Sequence, residues 1–253
     1  MSAGRRSRER AGDPGDAPHL LCGPRAVGEA LRAGRAVHRL RVSTRARGLA
    51  ELVGAAEDAG VPVARVEPAA LDEASGGVAH QGVIADADPP RRHDLAEVSA
   101  AQVLVVCDGI TDPQNLGAIA RTAEQAGAGG LVLPRKRSAP ISAAVERAAA
   151  GALSWLPLVE VPGVPAALAT LAEDGRWTVG LDGDAHETIY ATPVLAERHA
   201  LVVGAEGRGL ARLARERCDV LAAIPTAGRL ASLNVSAATA VALFEGRRRR
   251  LGW

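Results

Sequence analysis

A chain of 253 residues, 47% of them apolar, has enough apolar side chain for the core of one large domain or two small ones. Its net charge of +1 excludes a global basic field, and an aromatic content of 2% argues against a surface that reads bases by stacking them on aromatic rings. Cys22, Cys107 and Cys218 lack CxxC spacing, no His/Asp/Cys grouping has metal-ligand spacing, and no apolar run reaches the ~18 residues that cross a bilayer. A soluble, cytoplasmic protein with buried thiols and no bound metal is expected.

Residues 1–18 are basic and rich in Gly and Pro, and are expected to form a disordered tail. Order should begin at "HLLCG". Residues 19–88 then alternate: "AVGEALRAG" as a helix, "VHRLRVS" as a strand, "GLAELVGAAEDAG" as a helix, "VPVARV" as a strand, "PAALDEAS" as a helical turn and "QGVIADA" as a strand. This is a small α/β unit. Residues 89–99, with paired prolines and no apolar period, read as a linker.

From residue 100 to 253 a second α/β unit is expected. Its strands, "QVLVVCD", "GLVLP", "LPLVEV", "RWTVGL", "HALVVGAE" and "VLAAIP", include continuous apolar runs of the kind found in parallel sheets covered on both faces. Helical stretches separate them: "NLGAIARTAEQAG", "ISAAVERAAAG", "VPAALATLAEDG" and "GLARLARER".

Three strand-to-helix junctions carry polar residues. In "DGITDPQNLGAIARTAEQAGA" Asn115 is placed to start a helix whose buried stripe is Leu116, Ile119, Ala120, Ala123 and Ala126. Arg121 lies about 200° around from Ile119, off that stripe. In "LVVGAEGRGL" Gly204, Gly207 and Gly209 permit unusual backbone angles or the close approach of a ligand, with Glu206 among them; the spacing is neither a dinucleotide fingerprint nor a P-loop. In "SLNVSAATA" Ser232, Asn234 and Ser236 are more than a cap requires, which suits a ligand at a helix N-terminus. Strand C-termini of a parallel sheet share one edge, so the three junctions can converge.

Arginines cluster at Arg5–Arg10, at Arg39–Arg47, around Lys136 (the only lysine) and at Arg247–Arg250. They suit recognition of an anionic polymer, or reflect a preference for Arg over Lys.

Together "DPQNLGAIARTA", "LVVGAEGRGL" and "IPTAGRLASLNVSAATAVALFE" resemble, in order and spacing, the three motifs of the SpoU/TrmH family of RNA ribose 2′-O-methyltransferases. The resemblance covers residues 100–245. The first unit, with "LLCGPRAVGEAL" and "AHQGVIADA", is similar to the ribosomal-protein-like RNA-binding domain that precedes the catalytic domain in two-domain members. "EQAGA" departs from the family where many members carry an aromatic, at a packing position. The resemblance implies a parallel α/β domain with a deep trefoil knot that binds S-adenosylmethionine through Gly204, Ile224 and Leu233. It implies a homodimer packed through the knotted domains, with active sites that draw on both chains. Arg121 is implied at the ribose hydroxyl, with Asn115, Ser232 and Asn234 orienting the ribose and Arg121, and with Glu206 fixing the loop or holding Arg121. The implied substrate is large-subunit (23S) rRNA. A tRNA enzyme, an antibiotic-resistance rRNA enzyme and a non-catalytic ribosome-assembly protein are the alternatives. Cys218 is expected as a core thiol, and His80 as an RNA contact or a strand-entry hydrogen bond.

Overall fold

The computed structural model describes residues 19–229 and 232–253; the expected tail at 1–18 lies outside the described residues. The first unit is a four-stranded sheet built from β1 (His19–Cys22), α1 (Pro24–Arg32), β2 (Val37–Ser43), α2 (Ala50–Asp58), β3 (Val63–Val66), α3 (Pro68–Ser75) and β4 (Val83–Ala87). The strand order is β1-β4-β2-β3, with β2 and β3 parallel and the other pairs antiparallel. Proline at the first turn presets φ for α1 and α3. Leu21, Val27, Leu40, Val42 and Ala85 pack on one face of the sheet, and Cys22, Leu71 and Ile84 on the other.

The linker region is not a free tether. Its residues form β5 (Arg92–His93), which pairs parallel with β8 (Leu158–Val161) as the outer strand of the second sheet. A short 3-10 turn follows at Leu95–Val98, closed by a capping box between Asp94 and Glu97. Two residues are too few to show an alternating pattern, so the strand is silent in sequence.

The second unit continues with β6 (Val103–Asp108), α4 (Pro113–Ala126), β7 (Leu131–Pro134), α5 (Ala143–Ala149) and then β8. Next come α6 (Val164–Glu173), β9 (Trp177–Leu181), β10 (Glu187–Thr188), β11 (His199–Gly204), α7 (Arg212–Glu216), β12 (Val220–Ala223) and α8 (Val235–Arg250). All eight strands run parallel in the order β10-β12-β9-β11-β6-β7-β8-β5. Alternate residues of β6 face separate cores, Val103, Val105 and Cys107 toward α4 and Leu104 and Val106 toward α6, which is why its sequence is apolar throughout. Helix α5 lies close against α4 at Gly117, where a Cβ would come within 2.4 Å of the Ala148 Cβ.

The two units meet over α5. Glu146, fully buried, bonds His19 Nε2 and Arg35 Nη1, each at 2.9 Å, and Trp155 Nε1 donates to Glu29 at 3.0 Å. The C-terminal arginine run is also spent within the protein. Arg249 donates to the carbonyls of Thr192, Ile189 and Tyr190, Arg250 to that of Leu195, and Arg247 to that of Ala126, while Arg248 pairs with Glu245.

Candidate active site

Strands β6 and β11 are neighbours, with Gly204 in register with Asp108. The loops that leave them therefore emerge side by side at the C-terminal edge of the sheet. The first loop ends at Asp112, whose carboxylate accepts from the Gln114 and Asn115 N–H groups at 3.1 and 3.2 Å and caps α4. The helix thus starts at Pro113, two residues before the expected position, and Asn115 is not its cap. Its side chain is free to turn inward, and Asn115 is only 7% exposed.

A chain of hydrogen bonds runs from there in both directions. Asn115 Nδ2 donates to Glu206 Oε2 at 3.1 Å, and Asn115 Oδ1 accepts from Asn234 Nδ2 at 2.8 Å. Asn234 Oδ1 in turn accepts from the Ser236 N–H at 2.9 Å, the Ser236 hydroxyl at 2.6 Å and the Ala237 N–H at 3.4 Å, capping α8. The ends of the chain dictate the middle. A carboxylate accepts and backbone N–H groups donate, so only one orientation of each amide satisfies both. Glu206 is thereby held by the positive end of α8 through two amides.

Beside this chain lies a cavity of about 450 Å³. Gly204, Glu206, Ile224, Ser232 and Leu233 line it, together with Asp182, Asp184 and Thr226. The glycine loop closes on itself: the Gly209 N–H donates to the Ala205 carbonyl at 2.8 Å, with Gly207 and Gly209 at φ +76° and +63°. A Cβ on Gly204 would stand 2.1 Å from the Gly209 carbonyl carbon. The close approach that requires this glycine is made by the protein's own loop.

The structure brings Asn115, Glu206 and Asn234 into contact and sets Gly204, Ile224, Ser232 and Leu233 around one cavity. It does not bring Arg121 to them. Six residues along α4 place Arg121 about 120° around from Asn115. It is exposed and makes no side-chain bond among the described residues. The partner of Glu206 within the chain is Asn115, and not Arg121.

Residues 102–244 match the SpoU rRNA Methylase family, and residues 20–93 match the RNA 2′-O ribose methyltransferase substrate-binding domain. The chain belongs to the SpoU rRNA methylase family. It is 42% identical over 208 residues to the 23S rRNA (guanosine-2′-O-)-methyltransferase RlmB of Escherichia coli K12, covering 80% of this chain and 85% of that protein. The RlmB of Vibrio cholerae is 42% identical over 198 residues, covering 76% and 80%. Among solved structures, the SpoU methyltransferase AviRb from Streptomyces viridochromogenes in complex with the cofactor AdoMet superposes with a TM-score of 0.77 at 27% identity, over 93% of this chain and 91% of that one. The A. aeolicus TrmH/SpoU tRNA modifying enzyme covers 62% of this chain and 80% of its own, with a TM-score of 0.54 at 26% identity.

Every predicted site residue lies in the stretch that matches the SpoU methylase family. Sequence reading passed over the acidic wall opposite the glycine loop. Asp182 follows β9 at the same edge, and burial of its carboxyl is outweighed by bonds from Arg215 and the Asp184 N–H, which hold it below the usual carboxylate range. The signal was "LDGD" directly after a parallel strand. Asp108 was passed over too; its carboxylate accepts the Ala211 N–H at 2.7 Å and ties α7 to the end of β6. Cys22 and Cys107 are buried as expected, but Cys218 is only half-buried, packed against the edge of a core beside Gly180, with its pKa pushed up to about 12 by burial and by nearby carboxylates. His80 Nδ1 accepts the Gly82 N–H at 3.1 Å, the strand-entry bond, while Nε2 meets Asp72 at 2.9 Å.

Proposed function

We propose that this SpoU-family chain transfers a methyl group from S-adenosylmethionine to the ribose 2′-hydroxyl of a guanosine in 23S rRNA, in the cytoplasm. It acts as a homodimer packed through its knotted catalytic domains. The observation that carries the reading is the Glu206–Asn115–Asn234 chain beside a cavity at the sheet's C-terminal edge, in a family of RNA methylases.

The cavity fits the cofactor. Its volume lies in the range of small-molecule sites, and Gly204, Ile224 and Leu233 offer a wall of backbone and apolar surface. Glu206 and Asp184 add carboxylates that suit a cationic sulfonium. When bound, S-adenosylmethionine supplies an activated methyl group that needs only in-line attack. What this chain must do is place the hydroxyl and remove its proton.

Asn115, Ser232 and Asn234 orient the ribose, and Glu206 holds Asn115 in place. Arg121 is a poor proton acceptor, because a guanidinium stays charged at any working pH. Its planar fork instead grips an RNA phosphate, and that phosphate takes the hydroxyl proton. Since Arg121 points away from its own chain's amides, it serves the site of the second protomer. The first unit binds an RNA hairpin by shape and phosphates, in keeping with its lack of aromatics. That unit also favours rRNA over tRNA, since the tRNA-modifying neighbour spans only 62% of this chain.

The test is transfer of labelled methyl to a 23S rRNA transcript, with Arg121→Ala and Arg121→Lys beside the unaltered chain and the product mapped by resistance to alkaline cleavage. One protected guanosine is expected. It should fall about a thousandfold in Arg121→Ala, with cofactor affinity unchanged. Near-full activity in Arg121→Lys would show that the planar fork is not required. Transfer to tRNA alone would move the enzyme to the other substrate class. No transfer to transcript, tRNA or ribosomal particle would leave a binding protein.

A further inference from the structure

Between the two units, next to the start of α4, lies a second cleft of about 530 Å³. The segment Gly76–Ala79 of the first unit forms one wall, and Gln114, Ala144, Arg147 and Ala148 of the second form the other. Among the described residues its one charged lining residue is Arg147, and none of those lining it is a carboxylate. Arg147 is half-buried. Its guanidinium lies across the backbone of Gly23, where a Cβ would sit 3.1 Å from Nη1.

Most arginines of the first unit's near side are engaged: Arg32 with Glu29, Arg35 with Glu146, and Arg39 and Arg41 with Asp86, while Arg25 is exposed to water. Arg147 has no ion pair or hydrogen bond among the described residues. A guanidinium partly withdrawn from water, without a counter-charge, is poised for an anion. Gly76 and Gly77, at φ +58° and +86°, present bare backbone on the facing wall, so a bulky ligand can enter.

The cleft's position names the anion. Gln114 adjoins Asn115 in sequence, and seven residues separate it from Arg121. On a helix those seven residues return to within about 20° of the same face, about 10 Å further along. Arg147, Gln114 and Arg121 therefore form a track from the first unit along α4.

We infer that this cleft is a phosphate subsite for the substrate RNA, in which Arg147 grips a phosphodiester flanking the target nucleotide and Gln114 meets the sugar or base beside it. The inference rests on the RNA-methylating reading above. Arg147 positions the strand and takes no part in the chemistry.

The experiment measures KM for a 23S rRNA fragment across a salt series, using the full chain, Arg147→Gln and Arg147→Lys. Arg147→Gln keeps most of the stem that packs on Gly23 and removes the charge. It should raise KM about five- to twentyfold at low salt, with kcat at saturating RNA and cofactor affinity within about twofold of the unaltered chain. It should also flatten the slope of log KM against log salt by about 0.7 to 0.9, the worth of one phosphate contact. Arg147→Lys should restore the slope. An unchanged KM and slope in Arg147→Gln, in a chain that still methylates, overturns the subsite alone. A raised KM with an unchanged slope and no rescue by Lys also overturns it, since that pattern belongs to loosened packing between the units. No methyl transfer by the unaltered chain overturns the function and the subsite together.

Discussion

At the C-terminal edge of the eight-stranded sheet, Asn115, Glu206 and Asn234 are joined in a line that ends in an exposed carboxylate beside a cavity. At the N-terminal edge, Arg176 is 1% exposed and donates to the carbonyls of Ser99, Ala101, Gln102 and His199. Both clusters are polar and both tie loops to strands. The difference is what remains unspent. Arg176 is enclosed by backbone acceptors, with no room left for a ligand, and burial has already drawn its pKa down to about 10. Glu206, Ser232 and Arg121, which makes no side-chain bond among the described residues, are exposed and keep polar groups open to solvent. A polar cluster on a sheet edge becomes a site when its bonding capacity exceeds what the fold consumes.

The sharpest way to break the contrast is Gly204→Ala. The added methyl would overlap the Gly209 carbonyl carbon, with 2.1 Å between them, and displace the loop that walls the cavity. Cofactor affinity, measured by calorimetric titration, should fall by at least about a hundredfold, on the order of 3 kcal/mol, and methyl transfer should vanish. A variant that binds cofactor normally would separate the glycine loop from the site.

At the opposite edge the expected loss is of stability. Arg176→Met fills a similar volume and removes a donor from four carbonyls, of which Ser99 keeps Arg198 and Gln102 keeps the His199 N–H. It should lower unfolding free energy by about 3 kcal/mol in urea titrations. Cofactor affinity of the folded fraction should stay unchanged. A variant as stable as the unaltered chain, or one that loses cofactor affinity while folded, would erase the distinction between the two edges.

How far these edges could be read in advance differs as well. The long parallel strands declared themselves as apolar runs because both of their faces are covered. The convergence of three strand-to-helix junctions followed from the parallel topology that those runs imply. Strand β5 and strand β10, at two residues each, carry no period to read. Asn115 was misplaced as the helix start because Asp112-Pro113 supplies a cap and first turn two residues earlier. The separation of Arg121 from Asn115 was legible as a helical angle. The C-terminal arginines looked like a basic patch. Arg248 pairs with nearby Glu245, but Arg247, Arg249 and Arg250 donate to carbonyls at residue 126 and between residues 189 and 195, far away in sequence and invisible to any count of charge.

The N-terminal edge also holds the smallest of these effects and the one most dependent on pH. His199 is 1% exposed. Its Nδ1 lies 2.9 Å from the Glu197 carbonyl and so carries the proton, leaving Nε2 buried without a partner. Burial, helped by Arg250 and Arg176 and opposed by the Glu197 carbonyl, lowers its pKa from 6.5 to about 4. The unfolded chain therefore binds this proton first. The stability held by neutral His199 is complete above pH 6.5 and is lost as pH falls toward 4. Between pH 8 and pH 5 the loss should be about 2 kcal/mol. Replacing His199 with Gln should lower stability at every pH but remove most of that slope. Urea midpoints at pH 8, 6.5 and 5 for both chains measure it. An equal slope in the two would assign the acid sensitivity to other groups and leave His199 as packing alone. A flattened slope, with cofactor affinity at pH 6.5 unchanged, would place that sensitivity at the edge whose polar groups are buried away from any ligand.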